Sequence, residues 1–70
     1  MKNYKKVFSE QLKALRTERN VTQVELALGI GVSKGLISLW ENGLREPTLG
    51  NLIALSDYFE VSLDELIGKI

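Results

Sequence analysis

Acid–base chemistry in this 70-residue sequence would have to come from carboxylates such as Asp57, Asp64 and Glu65. They are scattered over helix-surface positions and read as a solvated face, the usual place for charged side chains. The chain has no His, so the one side chain that titrates near neutrality, and with it the usual general base, is missing. It has no Cys, which removes thiol nucleophiles, thiolate metal sites and disulfides and suits a reducing cytoplasm. No enzyme, cofactor or metal site is expected. No apolar run approaches the ~20 residues a membrane span needs, and Met1 to Lys6 is basic without the apolar core of a signal peptide. The chemistry that remains is recognition by a surface: a small cytoplasmic binding module with no membrane partner and no evident small-molecule ligand.

Nine Lys plus Arg balance nine Asp plus Glu, so the formal net charge is zero. Along the chain the charge is nevertheless polarised. Residues 1–20 hold six basic and two acidic side chains, residues 21–45 two of each, and residues 46–70 one basic and five acidic. A chain this short buries only about 60 % of its unfolded surface, which leaves little stability for a deep cleft and fits one domain over residues 1–70.

The elements that must position a binding surface are helices. Val7, Leu12 and Leu15 fall at helical spacing, and no stretch alternates long enough to argue a strand. Thr22 with Glu25, and Ser62 with Glu65, have the spacing of capping boxes, while Ser33 and Thr48 are N-cap candidates without the acidic partner. Val21 with Leu26, Val32 with Ile37, and Val61 with Leu66 repeat the spacing of a hydrophobic staple around three of these caps. Asn20, Gly31 and Gly43 can take the left-handed conformation that ends a helix, and Pro47 cannot continue one. The expected fold is all-α, with five helices near residues 4–19, 23–30, 34–42, 49–59 and 63–69.

Only Gly31, Val32 and Ser33 separate the second and third helices. So short a turn suits a crossing of about 90–120°, the geometry of a helix-turn-helix over residues 23–42, and equally the tight corner of any small helical bundle. Ala27 sits where a larger side chain would hold the two helices apart. Leu26, Ile30, Val32, Ile37 and Trp40 complete a shared core, with Trp40 on the inward stripe.

The run Thr22-Gln23-Val24-Glu25-Leu26-Ala27, then Gly31-Val32-Ser33, then Ile37-Ser38-Leu39-Trp40-Glu41-Asn42-Gly43, resembles the Xre family, the helix-turn-helix class of phage Cro and repressor proteins. The likeness continues through Arg45-Glu46-Pro47-Thr48 and Leu52 and closes in Val61-Ser62-Leu63-Asp64-Glu65-Leu66, covering roughly residues 12–67. It implies a five-helix, lambda-repressor-like DNA-binding domain that docks as a homodimer on a palindromic double-stranded operator, its third helix in the major groove. By that resemblance Ser33, Lys34, Gly35, Ser38 and Leu39 fall on base-facing and groove-facing positions, while Gln23, Asn42 and Arg45 fall on phosphate-contacting ones. Lys34 suits guanine O6/N7, and Leu39 a thymine methyl. Arg16 and Glu41 match a structural pair that ties the first helix to the end of the third, expected to be partly buried.

Departures from the family pattern shape the expectation. Gly35 offers no donor or acceptor where a polar side chain is usual, Leu36 and Leu39 add apolar surface beside it, Gly29 interrupts the second helix, and Glu60 replaces a common Gly. The functional expectation is a small transcriptional regulator, a repressor. The alternative is a protein-interaction module, antitoxin-like or an antirepressor component, favoured by Leu36 and Leu39. Leu63 and Leu66 are expected to pack on the core, leaving Ile67 and Ile70 as dimer candidates. The charge gradient is expected to turn a basic first helix toward phosphates and an acidic end away.

Overall fold

Each helix begins on a short polar side chain that accepts a backbone N–H from its first turn. Asn3 Oδ1 accepts from Lys6 N at 3.1 Å, Thr22 Oγ1 from Glu25 N at 3.0 Å and Ser33 Oγ from Leu36 N at 3.1 Å. Thr48 Oγ1 accepts from Asn51 N at 3.1 Å, and Ser62 Oγ from Glu65 N at 3.0 Å. A computed structural model, which describes residues 3–69, gives the resulting order: α1 Tyr4–Glu18, α2 Gln23–Ile30, α3 Lys34–Glu41, α4 Leu49–Phe59 and α5 Leu63–Ile67. Among the described residues there is no strand. Among them, no helix is long and apolar enough to cross a membrane. Met1, Lys2 and Ile70 lie outside the described residues.

Of the two expected capping boxes, one closes. Thr22 N donates back to Glu25 Oε1 at 2.9 Å, and this backbone bond, with the one from Thr22 Oγ1, holds the Glu25 carboxyl below its ordinary value. At α5 only the serine half forms: Ser62 accepts from Glu65, and the Glu65 side chain makes no return bond. Gly31 ends α2 at φ 75°, and Asn20 and Gly43 also take positive φ as expected. Glu60 does so too, at φ 55°, where a side chain is strained. Gly68, left-handed at φ 72°, stops α5 two residues earlier than periodicity suggests.

Five helices share one core: Phe8 and Leu12 from α1, Leu26 and Ala27 from α2, Ile37 and Trp40 from α3, Leu55 and Phe59 from α4, and Leu66 from α5. Burying each large apolar side chain contributes about 1.5–3 kcal/mol. The Phe8 and Trp40 rings meet edge to face at 6.1 Å, and the buried Trp40 Nε1 has no hydrogen-bond partner among the described residues. All three staples seat their inner residue: Leu26, Ile37 and Leu66 are fully buried, and Val21, Val32 and Val61 pack against the same cluster.

Four expectations change. Leu63 stays 38 % exposed instead of joining the core, because α5 is one short turn and Leu66 alone fills its inward position. Leu36, read as open apolar surface, packs against the core. Gly29 is a close-approach site: a Cβ there would overlap the Tyr58 ring of α4. The charge gradient is shortened by folding, since basic α1 packs directly against α5, which carries Asp64 and Glu65, with Gln11 Nε2 donating to Glu65 O at 2.9 Å.

Candidate nucleic-acid interface

The turn between α2 and α3 is closed by backbone. Gly31 N and Val32 N both donate to Ala27 O, the second at 3.0 Å, and the left-handed Gly31 lets the chain reverse within three residues. Ala27, 4 % exposed, keeps the two helices close. With Ile37 and Trp40 fully buried, the opposite side of α3 faces outward.

On that side Ser33, Lys34 and Gly35 are exposed in the first turn, Ser38 and Leu39 are half-buried in the second, and Asn42 and Arg45 are exposed at and beyond the end. Lys34 and Arg45 take part in no ion pair among the described residues, so both cations remain available to an anion. Asn42 Nδ2 folds back to Ser38, donating to its carbonyl at 2.8 Å and approaching its Oγ at 3.3 Å. Those two residues act as one polar unit. A Cβ on Gly35 would meet only Ser33 Oγ at 3.8 Å, so nothing within the fold requires glycine there.

Gln23, the first residue of α2, is half-buried, and its Nε2 donates to Glu41 Oε1 at 3.1 Å. Glu41 is the centre of a larger knot. Arg16 Nε donates to its Oε2 at 2.6 Å and Arg16 Nη2 to its Oε1 at 2.9 Å, while Arg16 Nη1 reaches Val21 O at 2.9 Å. The expected pair is therefore bidentate, with side chains 13 % and 4 % exposed. Burial alone pushes the Glu41 carboxyl up. The hydrogen bonds from Arg16 and Gln23 and the charges of Arg16 and Lys13 more than offset it, so the group sits below its ordinary value.

The link between Gln23 and Glu41 had no sequence signal of its own, because it depends on how the turn lays α2 across α3. Of the dimer candidates, Ile67 is half-buried and lines a groove with Phe8, Pro47 and Leu52, and Ile70 lies outside the described residues. Among the described residues no group of three or more acidic side chains could hold a metal ion.

Comparison with known proteins places this geometry. The helix-turn-helix family pattern matches residues 12–66. The chain is 43 % identical over 61 residues to the HTH-type transcriptional activator BcrR of Enterococcus faecalis, covering 87 % of this chain and 30 % of that protein. It is 36 % identical over 62 residues to the cryptic phage CTXphi transcriptional repressor RstR of Vibrio cholerae, covering 89 % of this chain and 56 % of that protein. Among solved structures it superposes with TM-score 0.83 on the P22 c2 repressor in complex with synthetic operator 9T, at 36 % identity over 87 % of this chain and 92 % of that one. The chain spans less than two thirds of the length of these two curated relatives.

Proposed function

Since the chain belongs to the helix-turn-helix family, we propose that it binds double-stranded DNA sequence-specifically as a small cytoplasmic transcriptional regulator, a repressor, and catalyses no reaction. The observation that carries this reading is the division of α3: its inner side is spent on the core, while Lys34, Ser38 and Asn42 face outward with no competing charge partner. The likeness to a repressor solved in complex with a synthetic operator supports DNA as the partner. In this reading α3 lies in the major groove. Lys34 donates to guanine, Ser33 and Ser38 meet base edges, Gly35 leaves room at the groove floor, and Leu39 packs on a thymine methyl. Gln23, Asn42 and Arg45 hold phosphates on either side, Gln23 at a helix N-terminus that favours anions.

The partner is a palindromic operator and the working form a homodimer. Exposed apolar surface supports the second copy: Leu44, Leu49 and Ile53 around the start of α4, and the exposed part of Ile67. The alternative of a protein-interaction module loses one of its two supports, because Leu36 packs against the core, while Leu39 stays on the outward side.

Fluorescence titration of a labelled duplex from a randomised pool, repeated over a salt series, tests the proposal. Log affinity is expected to fall linearly with log salt, and selection from the pool to recover paired half-sites. A folded protein that binds no duplex at low salt overturns it. Sedimentation of the protein on a recovered site, with Ile67→Glu and Leu49→Glu variants, tests the dimer; one copy per full site overturns that part.

A further inference from the structure

Glu41 faces away from the proposed groove, yet its carboxylate is the meeting point of three helices. Oε1 accepts from Arg16 Nη2 of α1 and from Gln23 Nε2 of α2, and Oε2 accepts from Arg16 Nε. We propose that Glu41 is a positioning residue for DNA binding: it sets the amide of Gln23 toward phosphate, and Arg16 neutralises it so that an anion can approach.

A carboxylate only accepts hydrogen bonds, so it decides which end of the Gln23 amide faces it. Nε2 must turn inward and spend one proton on Oε1 at 3.1 Å. The second proton of the same nitrogen is left for an acceptor beyond, at the end of α2 where the first backbone N–H groups also lack helical partners. Without Glu41 the amide is free to turn its carbonyl outward, which repels a phosphate.

A bare carboxylate one hydrogen bond behind that amide would itself repel the DNA backbone. Arg16 removes this objection with two bonds to one carboxylate, both side chains largely shielded from water. Its third contact, Nη1 to Val21 O at 2.9 Å, fixes the chain just before the α2 cap. Glu41 also precedes Asn42 directly. One carboxylate therefore sets the spacing between a phosphate-facing amide before α3 and another after it.

This proposal rests on the phosphate-facing role given to Gln23 above, and a double-mutant cycle separates the two. The probe is a fluorescein-labelled duplex recovered from the randomised pool. Gln23→Ala is expected to weaken binding on the order of tenfold, the loss of one hydrogen bond to a charged group. Glu41→Gln should weaken it to a similar extent, and adding Gln23→Ala to it should change nothing further. Because Glu41→Gln leaves Arg16 unbalanced and can unfold the chain, the cycle is repeated with Arg16→Met and Glu41→Leu together. Apolar side chains of similar volume preserve folding in such a replacement, and circular dichroism checks it. A residue that only stiffened the fold would leave the Gln23→Ala effect at full size in that background, which overturns the proposal. If Gln23→Ala has no effect in the wild-type chain, the phosphate-facing role of Gln23 falls and the proposal with it. If the wild-type chain binds no duplex, the regulatory reading itself is at fault.

Discussion

Tyr58 lies over Gly29. A Cβ built on that glycine would overlap the tyrosine ring at Cε2 and come within 2.9 Å of Cδ2, so the gap in α2 is filled by a side chain from α4. Helix propensity alone predicts that Gly29→Ala stabilises by about 1 kcal/mol. Overpacking costs about 1–3 kcal/mol and wins. Urea unfolding should show Gly29→Ala less stable than wild type by about 1 kcal/mol, and the same substitution stabilising in a Tyr58→Ala background. Stabilisation in both backgrounds would mean that the half-exposed ring swings aside.

Gly35 is the contrasting case. Its added Cβ meets only Ser33 Oγ at 3.8 Å, so Gly35→Ala should raise stability by about 0.5–1 kcal/mol. For a domain of this size that is a rise in Tm of roughly 2–8 °C. Under the proposed docking the same methyl stands at the groove floor and weakens DNA binding. A variant that melts higher and binds more weakly separates the two effects in one molecule.

Removing Glu41 alone strands a guanidinium that is largely shielded from water. Glu41→Ala should cost about 3–5 kcal/mol, whereas replacing both partners by Met and Leu should cost much less. The pH dependence follows from the same pair. The folded Glu41 carboxyl sits below its ordinary 4.5, so its contribution is complete above that value and is lost as pH falls through the lower, folded one. Exposed Glu25 shifts in the same direction, through its bonds with Thr22. Thermal melts should show stability falling below about pH 4.5, with a shallower decline in the Met/Leu variant. An identical acid limb in both proteins would show that Glu41 contributes nothing to it.

Glu60 closes α4 in the left-handed region, at φ 55° and ψ 46°. A side chain there costs about 1–2 kcal/mol, and part of that returns as the extra freedom a glycine has when unfolded. Glu60→Gly should therefore stabilise by about 0.5–1 kcal/mol in urea unfolding. A loss of stability would identify a favourable contact of the Glu60 side chain that outweighs the strain.

Helix starts and the turn were legible because their causes are local. Thr22 and Ser33 cap from within three residues, and Gly31 reverses the chain where its own φ allows. The exposure of Leu63 is not legible in the sequence, because a five-residue helix has room for one fully inward side chain and periodicity cannot say which. The reason for Gly29 is not legible either, because Tyr58 stands on another helix. The shortening of the charge gradient has the same kind of cause: residues far apart in sequence, on α1 and α5, lie side by side. In the candidate site the Arg16–Glu41 pair was accessible through family resemblance, but the third member, Gln23, becomes visible only once α2 and α3 cross.

The division of α3 has a mechanical consequence. Ile37 and Trp40 are sunk in the core, Leu36 leans on it and Glu41 is pinned at the far end, so within two turns the helix has no freedom to roll or slide. The outward side chains are thus presented at a fixed pitch, like the teeth of a rigid key. Under the proposed docking the duplex would have to supply the adjustment, and stiffness in the protein would become a preference for DNA that bends to fit it.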